Sequence, residues 1–155
     1  MWKAALLGAS PTVATLDTAP SDELRREINS MLYGMSSSCF NYEVATEGVP
    51  PPDILGMLQH SAVYIVAARA RISGCVAVTN DGYMHSLCVT ACQRNHGVGR
   101  MLMARVVQDY PNCTLMVHKH PTNFDKLIRY YEGFGFHVTH SQGRYVQMTR
   151  YDAKQ

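Results

Sequence analysis

The sequence predicts a single α/β domain in which helices cover the faces of a mixed β-sheet. From Ala62 onward, short apolar runs rich in β-branched residues alternate with turn signals, which is typical of strands. Two stretches in the same half repeat apolar residues at helical spacing. The chain has 155 residues, which suits one domain, 1–155, with a substantial core. Whether the first 20 or so residues adopt an ordered structure stays open.

The first third of the chain predicts one strand and one helix, followed by an irregular loop. The stretch TVATLD (Thr12–Asp17) alternates like a strand, and Ser21 is placed as the N-cap of a helix. Apolar residues then recur at helical spacing: Leu24, Ile28, Met31 and Leu32. Residues 34–53 contain three successive prolines, which is typical of a functional or mobile loop. DILGML after them predicts a short helix.

The remainder predicts six strands and two helices. The strands are predicted at 62–69, 72–79, 83–90, 114–118, 136–140 and 144–150. The helices are predicted at Val98–Asp109 and Asn123–Glu132, because each carries a continuous apolar face. The complete order is βα(α)βββαβαββ, which indicates a mixed sheet with helices on its faces.

Composition argues against several function classes. The net charge is only +2 and no dense Lys/Arg run occurs, so nucleic-acid binding has no support. No apolar run approaches the ~20 residues of a membrane span, and the N-terminal apolar patch is shorter than the ~7–15 residues of a secretory signal. We therefore expect a cytoplasmic protein without membrane contact. Five cysteines without a C-x-x-C pair predict buried thiols in a reducing compartment: Cys39, Cys75, Cys88, Cys92 and Cys113.

The stretch CQRNHGVGR (Cys92–Arg100) joins an apolar strand to an amphipathic helix. A helix N-terminus presents free N–H groups and a positive dipole end, which attract phosphate. Gly97 and Gly99 carry no Cβ, so the backbone can approach an anion closely. The glycines alone leave two interpretations open, a pyrophosphate cradle and a plain strand-to-helix turn.

Four sequence motifs, taken together, decide between the pyrophosphate cradle and the plain turn. The stretch Arg94–Gly99 matches R-x-x-G-x-G, and LCV (Leu87–Val89) matches an L-x-V on the fourth strand. Gly74 lies where a third-strand glycine is common, and YYEGFGF (Tyr130–Phe136) is similar to a closing Y-E-x-x-G-F. With these motifs the chain resembles the GNAT superfamily of N-acetyltransferases over about residues 62–148. The resemblance implies a sheet of six to seven strands, splayed between strands four and five.

The resemblance also implies acetyl-CoA as co-substrate. Its pantetheine arm would pair, like an additional strand, with the backbone of Leu87, Cys88 and Val89 in the splay. Its pyrophosphate would lie on the amides of the turn, which are those of Arg94, Asn95, His96, Gly97, Val98, Gly99 and Arg100. The chain departs from the family pattern at Phe124, where many members carry an Asn.

Tyr131 is the predicted general acid. It aligns with the tyrosine of Y-E-x-x-G-F, and a phenol can protonate the departing thiolate. Its helical face also carries Leu127 and Ile128, so a purely structural role in the core stays open. Tyr130 is the neighbouring alternative, on a different face of the helix.

His85 is the predicted general base, because an imidazole with a reference pKa of ~6.5 accepts a proton at neutral pH. Strand alternation predicts His85 and Leu87 on one face and Cys88 on the other. The stretch is also similar to arylalkylamine N-acetyltransferases, which carry two histidines here; His85 matches the second and Tyr83 replaces the first. A structural histidine stays an alternative, as does Glu43 as base.

These observations predict transfer of acetyl from acetyl-CoA to a primary amine, by direct attack in a ternary complex. The acceptor is expected to be a small molecule or a peptide, selected by residues 34–53 and 140–144, and the protein a monomer or homodimer. Two alternatives stay open: a protein N-terminal or lysine acetyltransferase, and an acyl-CoA-binding module without catalysis. No metal is expected, since no Cys or acid completes the paired histidines His118/His120 and His137/His140.

Overall fold

The computed structural model of the chain describes residues 8, 10–16, 21–30, 61–69, 71–90, 93, 95–119 and 121–152. These residues form seven strands and three helices. The strands are β1 (Thr12–Thr15), β2 (Ser61–Ala68), β3 (Arg71–Thr79), β4 (Met84–Val89), β5 (Cys113–His118), β6 (His137–Gln142) and β7 (Tyr145–Arg150). The helices are α1 (22–30), α2 (Val98–Asp109) and α3 (Phe124–Glu132). The loop 34–53 and the DILGML stretch lie outside the described residues.

The strands form two antiparallel sheets, in the orders β1-β2-β3-β4 and β5-β7-β6. Among the described residues, one parallel bridge, Tyr83 to Thr114, joins them, and the Thr114 N–H donates to the Gly82 carbonyl at 2.9 Å. Strands β4 and β5 therefore start side by side and then diverge. The predicted α/β fold and its splay between strands four and five are confirmed.

Helix α2 packs on one face of the sheets, where its apolar stripe is fully buried. Leu102, Met103 and Val106 have no exposed surface, and they join a core cluster with residues of β2 to β5 and β7. Gly74 on β3 allows this close packing: a Cβ there would lie 2.9 Å from Val98 Cγ1 and 2.8 Å from the Cys88 carbonyl oxygen. The close packing of β3 against β4 and α2 therefore explains why a glycine is needed at position 74.

Helix α1 covers the opposite face of the first sheet. Its residues Leu24 and Ile28 are buried in a second core cluster with residues of β1 to β4. The predicted N-cap is confirmed, because Ser21 Oγ accepts a hydrogen bond from the Leu24 N–H at 3.2 Å. The described cysteines are buried as expected: Cys75, Cys88 and Cys113. None of the helices in the described part of the chain has the length and apolar character needed to cross a membrane.

Candidate active site

The candidate site lies where β4 and β5 separate. One edge of β4 pairs with β3, and beyond Tyr83 no strand among the described residues pairs with its other edge. The outer strand of a sheet can accept an extended chain through backbone hydrogen bonds. Leu87, Cys88 and Val89, the predicted pantetheine contacts, form the last part of this edge.

Strand β4 contains a bulge beside this opening. Cys75 of β3 pairs with Cys88, and Ala77 pairs with His85. On β3, one residue lies between Cys75 and Ala77. On β4, two residues, Ser86 and Leu87, lie between His85 and Cys88. A bulge of this kind bends the strand and changes the directions of its side chains.

The bulge overturns one expectation from the sequence. Residues paired across an antiparallel ladder share a face, so His85 and Cys88 lie on the face of Ala77 and Cys75, against the cluster that α1 covers. Leu87 packs instead against the cluster that α2 covers. The prediction that His85 shares a face with Leu87 and opposes Cys88 is therefore wrong, because simple alternation does not continue through a bulge.

His85 has the environment of a neutral imidazole. It is partly buried, and burial lowers the pKa of His85 below its usual 6.5. Its Nε2 lies 3.3 Å from Ser61 Oγ, within hydrogen-bond distance. Its ring stacks on Tyr83, with 5.9 Å between ring centroids. These contacts orient a side chain that can accept a proton at neutral pH.

The first turn of α2 is open to an anion. Gly97 is the N-cap, has a left-handed backbone (φ 84°), and forms no side-chain cap. A Cβ at Gly97 would meet no atom within 4 Å, and the first turn contains no acidic residue. The exposed residues Asn95, His96 and Arg100 flank this turn, whereas the Val98 side chain is buried in the core. Arg94 lies outside the described residues.

The two adjacent tyrosines of α3 have different surroundings. Tyr131 is only 9% exposed and belongs to the core cluster, where its ring meets the Phe136 ring edge-on at 6.1 Å. Tyr130 reaches the first turn of α2: a Cβ at Gly99 would lie 2.7 Å from Tyr130 Oη. Helical spacing predicts that the two tyrosines lie on different faces of α3. It does not predict that Tyr130 contacts Gly99.

Further aromatic side chains lie at the end of β5 and just before β4. His118 and Tyr145, paired between β5 and β7, meet edge-on at 5.3 Å. Burial raises the pKa of Tyr83, and the nearby Tyr145 adds to this increase. No group of three or more His, Cys, Asp or Glu that could hold a metal occurs among the described residues. Glu43 and His120 are not among them.

Comparisons with known proteins agree with this architecture. The family described as acetyltransferase (GNAT) domain matches residues 35–150. The chain is similar in structure to the protein PH1933 from Pyrococcus horikoshii, with 16% identity, a TM-score of 0.71, and coverage of 92% of this chain and 98% of that one. Comparison with curated protein sequences gave no match.

Two further solved structures of similar fold were determined with ligands. A GNAT family acetyltransferase from Elizabethkingia anophelis, with acetyl-CoA bound, has 11% identity and a TM-score of 0.61, covering 91% of this chain and 97% of its own. The PaiA N-acetyltransferase from Thermoplasma acidophilum, in complex with coenzyme A, has 13% identity and a TM-score of 0.65, and the match covers 90% of this chain and 99% of that one. At these identities the likeness demonstrates a shared fold.

Proposed function

The chain belongs to the GNAT acetyltransferase family, and from this premise we propose that it transfers acetyl from acetyl-CoA to a primary amine by direct attack. The observation that carries the proposal is that the first turn of α2 lies beside the end of β4, next to the splay: Val89 Cγ2 is 3.8 Å from the position of a Cβ at Gly99, and this turn has no side-chain cap. Solved proteins of this fold that hold acetyl-CoA or coenzyme A support the same donor.

The described residues fit such a donor in two respects. Strand β4, with Leu87, Cys88 and Val89 at its end, is the outer strand of its sheet, and the edge of such a strand can pair with an extended amide-containing arm. The first turn of α2 offers uncapped amides and open space at Gly97 to a diphosphate. On this proposal, the turn from Arg94 to Arg100 holds the donor's diphosphate.

His85 is the proposed base on the acceptor side. An alkylamine has a pKa of about 10, so most of it is protonated at pH 7 and must lose a proton before it attacks. The lowered pKa of His85 keeps the imidazole neutral, and its Nε2 can take this proton directly or through a water molecule. The neutral amine nitrogen then attacks the thioester carbonyl carbon, the carbon–sulfur bond breaks, and the nitrogen releases its extra proton to solvent, which leaves a neutral amide.

Tyr131 is the proposed acid for the departing thiolate. This role rests on its place in the YYEGFGF motif, and the ring contacts of Tyr131 with Tyr130 and Phe136 hold its orientation. Proton transfer from the phenol to sulfur would complete the reaction without a covalent enzyme intermediate. The Tyr131→Phe substitution keeps the ring and removes the proton, so it separates this role from packing.

Two measurements test the proposed function. Acetyl-CoA should raise the melting temperature, because a ligand that binds only the folded state stabilises it. No shift at millimolar acetyl-CoA would exclude this donor. Release of free thiol is then measured with a panel of small amines, lysine peptides and peptide N-termini. Release with small amines supports the proposal, release only with peptides favours a protein acetyltransferase, and binding without release indicates a non-catalytic module.

A further inference from the structure

Tyr130 places its hydroxyl on the first turn of α2, at the point where Gly99 has no side chain. A Cβ at Gly99 would lie 2.7 Å from Tyr130 Oη but 3.8 Å from Tyr130 Cζ. The hydroxyl, rather than the ring, is therefore the part of Tyr130 that meets the helix terminus. The last residue of β4, Val89, lies at the same point, with its Cγ2 3.8 Å from that Cβ position.

Neighbouring rings hold the Tyr130 phenol in this position. Tyr131 meets it edge-on with 5.3 Å between ring centroids, and Phe134 does so at 5.2 Å. Within the part of the chain that the structure describes, the Tyr130 hydroxyl has no hydrogen-bond partner. A half-buried phenol that is already oriented loses little conformational entropy when it binds a ligand.

The charges around the Tyr130 hydroxyl favour an anion. Burial raises the pKa of Tyr130, and the positive charge of Arg100 only partly offsets this effect. The phenol therefore stays protonated, and remains a donor, throughout the neutral pH range. Arg100 belongs to the same turn, which has no acidic residue and no side-chain cap at Gly97. An anion at this turn would meet backbone amides, a guanidinium group and a phenol.

We propose that Tyr130 binds the acyl donor, its hydroxyl donating a hydrogen bond to a diphosphate oxygen at the first turn of α2. The inference rests on the proposed function and adds a residue to it. Gly99 is required at this point because a larger residue would displace the hydroxyl. The assignment separates the two adjacent tyrosines: Tyr130 acts in binding at the diphosphate, and Tyr131 in proton transfer at the sulfur.

The test compares wild type with Tyr130→Phe, which keeps the ring and its packing. Calorimetric titration with coenzyme A should show a Kd about tenfold higher in the variant, the usual effect of losing a hydrogen bond to a charged group. With S-acetylpantetheine, a donor without the diphosphate, kcat/KM should be equal in both proteins. At saturating acetyl-CoA, kcat and its pH profile should be retained. Tyr151→Phe, in a tyrosine that is 67% exposed, is the matched control.

Each other outcome overturns the assignment. An unchanged Kd for coenzyme A means that the hydroxyl does not contact the donor. An equal loss with both donors means that the substitution disturbs the site generally. A lower kcat with an altered pH profile makes Tyr130 the proton donor. Failure of the wild type itself to bind coenzyme A overturns the proposed function, which distinguishes that failure from a failure of Tyr130 alone.

Discussion

Replacing Gly74 by alanine should destabilise the fold at the junction of β3, β4 and α2. The added Cβ would lie 2.8 Å from the Cys88 carbonyl oxygen, 2.9 Å from Val98 Cγ1 and 3.2 Å from Leu102 Cδ1. The first of these atoms belongs to the backbone of a paired strand, and Val98 and Leu102 are both buried at 3% exposure or less. No neighbour can therefore yield without moving a strand or the helix.

The magnitude follows from two opposing effects. Overpacking a well-packed core costs about 1–3 kcal/mol, whereas replacing a strand glycine by alanine gains about 0.5–1 kcal/mol of backbone entropy. The net loss in the free energy of unfolding is about 1–2 kcal/mol, which lowers Tm by roughly 2–8 °C in a domain of this size. Urea denaturation and thermal melting of Gly74→Ala measure both quantities.

A double variant supplies the control for Gly74→Ala. Val98→Ala removes the Cγ1 atom that the new Cβ would approach at 2.9 Å, so the two substitutions together should destabilise less than the sum of their separate effects. Stability of Gly74→Ala equal to or above wild type would refute the steric argument. Strict additivity would show that the helix contact does not contribute to the effect.

Three further predictions concern other groups. Asp109→Asn weakens the hydrogen bond from Tyr64 at 2.8 Å and should lower the free energy of unfolding by about 1–2 kcal/mol. Arg105→Gln, at the partly exposed end of the same network, should lower it by about 0.5 kcal/mol. Equal losses of the two variants in urea denaturation would contradict this ranking. Because burial lowers the pKa of His85, the unfolded chain binds its proton more readily, so stability should fall as pH decreases below about 6.5. His85→Gln should flatten that decline, and a decline unchanged by the substitution would assign it to other groups. Tyr131→Phe should lower kcat and alter its pH dependence, and unchanged turnover would exclude Tyr131 as the acid.

Local pattern predicted the elements well because each depends on neighbours in the sequence. The apolar spacing from Val98 predicted α2 with both of its ends, and α3 differs only in that Asn123 is its N-cap. Ser21 was recognisable as a cap because its partner lies three residues away. The family resemblance then placed the splay beside β4, which the structure confirms.

By itself, the sequence determined the order of strands and helices, the glycines of the turn before α2, and the family to which they point. Only the tertiary structure decided which side chains meet in the site. The bulge in β4 moves His85 and Leu87 to opposite faces, and the docking of α3 brings Tyr130 to Gly99. Periodicity describes one element at a time, whereas these contacts depend on register between strands and on helices packing across the core.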